Sequence, residues 1–194
     1  MFQKVSFVSA IALFVSLPPL MAQEMVANPL YKYWANFKPG STVTRTESTT
    51  LTGQEKKLAP DGMDVKEVTY KLVEVTDDSV VVDTIVVEHL FLRTVEQPAT
   101  RTTFPAKVKK AHLIAAKEAV GADVGEATIS LNGESFECKT LTGTIKNGKE
   151  SVERKLWFSD SVPGGIVKEV TTTKFGNRLD SEVSIELKSY KVAK

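Results

Sequence analysis

The chain has one cysteine, two histidines and a formal net charge of only +1 over its 194 residues. The single cysteine, Cys138, excludes an internal disulfide framework and a zinc site built on several thiolates. Lys4 is the only charged residue of segment 1–22, so 24 of the 25 basic side chains remain beyond it, against 24 acidic ones. Without a basic patch to release counterions from phosphates, nucleic-acid binding is set aside. No cofactor is expected.

Histidine is too sparse to suggest catalysis or metal binding. His89 and His112 have no ligand partner at helical spacing, so structural or surface roles are expected for both. Ser159 and Asp160 could meet a histidine in space, but the sequence has no Gly-x-Ser-x-Gly elbow to support a hydrolase. We therefore expect no enzyme and name no catalytic residue. A secreted hydrolase is kept as the third alternative.

The chain has no hydrophobic run long enough to span a bilayer, but it opens with a short one. Lys4 precedes an apolar run from Val5 to Leu17, and a small residue, Ala22, follows. This order predicts a secretory signal over residues 1–22, cleaved after Ala22. Residues 23–194 are then predicted to form a single domain, mainly antiparallel β, that is periplasmic or secreted and does not span the membrane.

Alternating apolar and polar residues dominate the rest of the sequence. The pattern over Val68–Leu72 and again over Leu179–Leu187 predicts strands with one wet face. Val80–Leu92 has apolar residues at both its odd-numbered and its even-numbered positions, which predicts a strand covered on both faces. Cys138 falls on a predicted strand, where a buried small hydrophobe is favoured over a handle for an intermolecular bridge.

Turn residues divide the strands into hairpins. Asn132-Gly133 and Asn147-Gly148 fit type I′ turns, so residues 126–160 are predicted to form a three-stranded meander. Further turns are predicted at 60–62, at Asp77-Asp78 and at Gly176-Asn177. Because Asp77-Asp78 falls in a turn, solvated turn residues account for it better than a glycosidase carboxylate pair.

Two segments break the alternation and favour helices. The segment 29–37 has apolar residues four apart and ends before Pro39-Gly40. The segment 105–120 is rich in Ala and Lys, with a proline at its start and a glycine just past its end. The predicted fold is therefore mainly β (α+β): a long curved antiparallel sheet or half-open β-barrel with one or two covering helices.

The most specific local pattern is a predicted structural corner, formed by Trp157, Pro163, Gly164 and Gly165. A strand that carries a large aromatic meets a Pro-Gly-Gly turn and resumes as a second strand. The glycines serve geometry here, since no Lys-Ser/Thr pair follows and the flanking elements are strands. A weaker echo, Tyr33-Trp34 followed by Pro39-Gly40, is explained by shared turn chemistry rather than duplication.

The helix over 29–37, the long strands and the Trp-Phe-Ser-Asp to Pro-Gly-Gly strand pair within Leu156–Tyr190 together resemble the LolA/LolB-like superfamily of secreted bacterial proteins. The resemblance implies a half-open β-barrel wrapped around helices. Members bind acyl chains of lipoproteins in the concave cavity, or act as envelope-stress sensors and assembly factors. No binding residue is carried over, because the positions that mark a lipoprotein carrier have no counterpart that can be assigned in this sequence.

Two functional hypotheses follow. In the first, the chain is an exported, non-enzymatic protein that holds an apolar or acyl ligand, such as a lipid or a lipidated protein, between sheet and helices. In the second, it is an envelope interaction or scaffold module whose sheet is closed by its own helices. The ligand-binding residues are not identified from the sequence under either hypothesis.

Overall fold

The computed structural model describes residues 24–51, 65–90, 93–110 and 123–194. The predicted signal peptide, the turn at 60–62 and His112 lie outside these ranges. The elements follow the chain in this order: β1 (Met25–Ala27), α1 (Pro29–Ala35), β2 (Thr42–Leu51), β3 (Val65–Val75), β4 (Ser79–Leu90), β5 (Arg93–Glu96), β6 (Thr100–Pro105), β7 (Lys107–Lys109), β8 (Asp123–Leu131), β9 (Glu134–Asn147), β10 (Glu150–Phe158), β11 (Ile166–Phe175) and β12 (Arg178–Lys191).

Most of the described chain belongs to one large antiparallel sheet that is not closed into a barrel. Its order is β5-β4-β3-β2-β12-β11-β10-β9-β8, and β6 pairs with β4 beside β5. The short strands β1 and β7 pair with each other separately. The prediction of a mainly β fold is confirmed at this level.

The predicted hairpins are present, with one shift in register. The meander is β8–β9–β10, and Asn132 and Gly133 both have positive φ, 53° and 82°, as a type I′ turn requires. The next turn lies one residue later than predicted. Asn147 ends β9, and the loop residues are Gly148 and Lys149, with positive φ on the glycine alone. A single glycine at the first loop position suits a type II′ turn instead.

The first predicted helix is confirmed as α1. The side chain of Asn28 caps it by accepting a hydrogen bond from the Leu30 amide at 3.1 Å, and Pro29 occupies its first turn, where no amide hydrogen is needed. Trp34 is buried, with 4% of its surface exposed, whereas Leu30 stays 43% exposed. One face of this short helix therefore reaches the core.

The second predicted helix, over 105–120, is wrong at its start. Pro105 ends β6, and Lys107–Lys109 is β7, paired antiparallel with β1. Pro105 is tolerated there because β6 is a short strand at the sheet edge, where a missing amide hydrogen breaks no interior ladder. Between the two strands, the Ala106 amide donates to Asp78 O at 2.7 Å. Residues 111–122 lie outside the described ranges.

The prediction that residues 80–92 are covered on both faces holds only on one side. Val80 and Val82 are almost fully buried against the core, at 0% and 1% exposure. On the other face of β4, Val81, Ile85 and Val87 are half-buried. Near Val80 and Val82 one face of β4 is thus closed, whereas the other face is partly open to solvent.

The sheet bends strongly toward one face. Strands β9 and β12 are three strand spacings apart, which a flat sheet would make about 14 Å. Yet the rings of Phe136 and Tyr190 lie 6.3 Å apart, and Asn132 Nδ2 donates to Leu187 O and Lys188 O at 2.8 and 2.9 Å. These contacts are possible only if the β8–β9 hairpin curls back to β12.

The core fills the closed end of this bend. We call the sheet face that packs on α1 the inner face. The buried apolar residues of the core cluster are Trp34, Val43, Leu72, Val80, Val82, Phe136, Cys138, Val162, Val167 and Leu187. Because side chains alternate along a strand, residues two positions from these on β2, β3, β11 and β12 share the inner face.

Candidate functional site: the inner face of the sheet

Three of the four predicted corner residues lie together against α1. Pro163 is almost fully buried, and Gly164 and Gly165 have positive φ of 73° and 76°. A Cβ built on Gly164 would lie 2.7 Å from Trp34 Cζ2, and one on Gly165 would lie 2.5 Å from Tyr33 Cδ1. The two glycines therefore serve both the backbone turn and the close approach of the helix aromatics.

The fourth predicted corner residue, Trp157, lies on β10 and packs against the buried core cluster. It is half-buried and pairs with Lys168 across β10 and β11, just before a register shift. The ammonium groups of Lys155 and Lys168 lie 4.9 and 6.0 Å from its ring. Trp157 thus forms a cation–π cluster on the face opposite to Leu156.

The weak echo noted in the sequence has a structural counterpart. Tyr33 stacks on Phe158, with ring centroids 5.5 Å apart, and the Gly164 amide donates to Tyr33 O at 3.3 Å. The two aromatic and Pro-Gly segments therefore contact each other, and α1 is fixed to the corner at the closed end of the bend.

Beyond the closed end, the inner face continues as a partly exposed surface on which apolar residues alternate with charged ones such as Glu47 and Lys66. Val68, Val86, Val183 and Ile185 lie on it by alternation and pairing, and all four are half-buried. Farther along, Ile145 is 47% exposed. We call the surface formed by Val68, Val86, Val183 and Ile185 the open floor.

Arg45 lies where the buried core meets the open floor. It is two residues beyond the fully buried Val43 and pairs with Leu187, and only 6% of its surface is exposed. Its Nε donates to Ile166 O at 3.0 Å, and its guanidinium carbon lies 4.9 Å above the ring of Tyr70. Burial lowers the pKa of Arg45, and Tyr70 and Glu169 oppose that shift.

One guanidinium nitrogen of Arg45 has no partner. Nη2 is buried and makes no hydrogen bond within the part of the chain that the structure describes. Buried polar atoms of this kind are rare, since an unsatisfied donor loses its hydration without compensation. The sequence contains a signal for this residue, because Arg45 is two positions from Val43 and therefore lies on the same face of β2 as that apolar residue.

The other charges near Arg45 are already paired. Glu169 is 7% exposed and accepts from Arg154 Nε at 2.6 Å, with Thr171 donating to the same oxygen at 3.4 Å. Glu47, two residues beyond Arg45, lies 3.8 Å from Lys66. The buried carboxylate of Glu169 therefore pairs with Arg154 through Oε1 and also acts electrostatically on Arg45.

Three cavities border the closed end. Two adjoin and share Tyr33, Lys139 and Asp160 in their walls, with volumes of about 270 and 330 Å³. The third, of about 370 Å³, lies between the β8–β9 hairpin and the end of β12, with Phe136 and Tyr190 in its wall. Burial, and then Asp160, raise the pKa of Tyr33, so its hydroxyl stays protonated at neutral pH.

The remaining residues singled out in the sequence form no reactive cluster. Cys138 is buried at 4% exposure, and burial followed by Glu137 raises the pKa of its thiol. Ser159 Oγ bonds Ser161 Oγ at 2.9 Å, whereas His89 contacts Thr94 and Glu67. The described ranges contain no group of three or more His, Cys, Asp or Glu side chains placed to hold a metal ion.

Across the four described ranges, none of the helices has the length and apolar character needed to cross a membrane.

Comparison with known proteins gives a distant structural likeness. No family model matches the chain, and no curated protein matches it. A crystal structure from Bacteroides fragilis, named "a putative exported protein with YmcC-like fold", is similar at 12% sequence identity, with a TM-score of 0.41. The match covers 80% of this chain and 97% of that chain. A likeness this distant assigns neither a family nor a function.

Proposed function

We propose that this chain is an exported, non-enzymatic binding protein that holds an apolar or acyl ligand on the inner face of its bent sheet. In this proposal the sheet is a half-open barrel, α1 plugs one end, and the ligand covers the open floor. Export rests on the signal-like segment 1–22. The LolA/LolB-like resemblance of the sequence supports the same class.

The observation that carries the proposal is the mismatch between helix and sheet. Helix α1 has 7 residues and is therefore about 10 Å long, whereas β9 and β12, with 14 residues each, span about 47 Å. Within the described ranges, α1 is the one helix with both ends defined. A concave apolar surface left partly exposed favours an apolar occupant at about 25 cal/mol per Å² buried.

The direct test is ligand content and acyl-probe binding. Native mass spectrometry of the purified full-length protein should show a lipid-sized adduct that organic extraction removes. The extracted protein should then bind a fluorescent acyl probe with saturation. A protein that carries no adduct and does not take up the probe would refute the proposal.

A matched pair of variants locates the binding surface. Val183 and Val170 are both half-buried and lie on neighbouring strands, but Val183 is on the inner face and Val170 on the outer one. Val183→Glu should weaken probe binding about tenfold or more, because it places a carboxylate in the apolar contact. Val170→Glu should bind like the wild type. Equal binding by the two variants would place the ligand elsewhere.

The interaction-module alternative also has an observation in its favour. Strand β8 ends the sheet order within the described ranges, and its Val124 is 76% exposed. An edge strand of 9 residues can accept a strand from a partner. Crosslinking through a cysteine at position 124, in a Cys138→Ser background, should capture such a partner, whereas one at the paired Leu141 should not.

A further inference from the structure

We propose that the acyl ligand carries an anionic head group, and that the buried guanidinium of Arg45 binds it. This inference rests on the proposed function and specifies its ligand. The head group would lie at the junction of core and open floor, and the acyl chain would extend over Val183 and Ile185. The shared chemistry of the head group is a carboxylate or a phosphate.

The first argument is the unsatisfied donor. Arg45 Nε is used by Ile166 O at 3.0 Å, whereas the buried Nη2 is unused by any described residue. An arginine presents its donors in a planar fork that matches the two oxygens of a carboxylate or phosphate. Arg45 Nη2 is therefore a buried hydrogen-bond donor at the margin of the open floor, and an anionic group would supply its acceptor.

The second argument is the local charge. Around Arg45 the inner face carries three cations and three carboxylates by strand register: Arg45, Lys66 and Arg154, and Glu47, Glu88 and Glu169. Glu169 accepts a 2.6 Å hydrogen bond from Arg154, and Glu47 forms a salt bridge with Lys66. Among these six charges, Arg45 alone forms no salt bridge within the described residues, and an anionic head group would supply that ion pair.

The third argument is position. Val43 on one side of Arg45 is fully buried, and the partner strands on the other side carry the half-buried Val183 and Ile185. The Tyr70 ring supports the guanidinium plane from below, at 4.9 Å from its central carbon. A head group at Arg45 therefore places an attached chain directly on the open floor, which a site at the surface rim would not do.

The test compares ligands that share one chain and differ in the head group. Calorimetric titration of the extracted full-length protein with dodecanoate and with dodecanol should show the anion binding about tenfold tighter or better, as expected for hydrogen bonds to a charged group. Arg45→Met should remove this preference, so that dodecanoate and dodecanol bind the variant equally. Arg101→Met, which removes a 63% exposed arginine paired with Asp83, should keep the preference.

The outcomes of this test separate the head-group inference from the proposed acyl-binding function. If both ligands bind wild type equally, the head-group inference is overturned and the acyl-binding function stands. If neither binds, both proposals fail. If inorganic phosphate alone protects the protein from heat as well as dodecanoate does, the site binds free anions and the acyl part is overturned. The head-group comparison on wild type needs no variant, so it remains decisive if Arg45→Met fails to fold.

Discussion

Replacement of Gly164 by alanine tests how α1 is fixed to the corner. Gly164 has φ of +73°, and an added Cβ would lie 2.7 Å from Trp34 Cζ2. The left-handed backbone costs a residue with a Cβ about 1–2 kcal/mol, and forcing extra volume into a packed core costs a further 1–3 kcal/mol or so. Gly164→Ala should therefore lower the free energy of unfolding by about 2–5 kcal/mol, and Gly164→Val by more.

Gly133 supplies the matched control. Its φ is +82°, but a Cβ there would meet nothing within 4 Å. Gly133→Ala should cost only the backbone contribution, about 1–2 kcal/mol. The difference between the two variants then measures the Trp34 contact. Urea unfolding followed by tryptophan fluorescence and circular dichroism gives both values, provided that the m-values match.

A double-mutant cycle completes this experiment. Trp34→Leu removes the ring that the new Cβ would strike, so the combined variant should be more stable than the sum of the two losses predicts, by about 0.5–3 kcal/mol. Equal losses for Gly164→Ala and Gly133→Ala, together with no coupling to Trp34, would refute the idea that helix and corner are packed this tightly.

Three further predictions concern single contacts. Cys138 should react with a thiol reagent roughly a hundredfold or more slowly in the folded protein than in urea, because burial raises its pKa; fast native reaction would contradict this. Asn132→Gly keeps the turn but loses two amide hydrogen bonds to β12, so the free energy of unfolding should fall by about 1–3 kcal/mol, whereas an unchanged urea midpoint would mean that these bonds do not hold the bend. Lys188 lowers the pKa of Glu67 below 4.5, so this pair stabilises the fold above that pH and the gain is lost as the pH falls through the lower value. Lys188→Met should reduce the fall in the free energy of unfolding over that pH range. If urea titrations show the same fall on acidification as in the wild type, the pair does not stabilise the fold.

Local chemistry was sufficient to predict most of the long strands and several of the turns between them. Alternation gave β3 and β12, and the Asn-Gly pair at 132–133 has the backbone that its residues favour. The Ala- and Lys-rich segment from residue 105 misled the helix prediction, because backbone pairing of β7 with β1 outweighs intrinsic propensity there. Propensity is a weak guide wherever a partner strand competes for the same backbone groups.

The bend of the sheet could not be predicted, because it depends on contacts between distant segments. Nothing near Asn132 indicates that its amide will reach β12, and nothing near Gly164 indicates that Trp34 will pack on it. The importance of Arg45 was also missed, although its parity on β2 was visible. Arg45 is on the same face of β2 as Val43, but the sequence does not show that β12 and β3 lie on either side of it. Burial of its charge can be recognised only when that pairing is known.

Stability gives no reason for an arginine at position 45. Replacing a buried charge by an apolar side chain of similar volume is often neutral or stabilising, so a sheet selected only to fold would favour methionine or leucine there. The hydrogen bond from the charged guanidinium to Ile166 O recovers only about 1.5–3 kcal/mol of the cost of burial. A cation kept at the margin of an apolar floor, with one nitrogen unused by the described residues, is better explained by an anionic ligand than by packing.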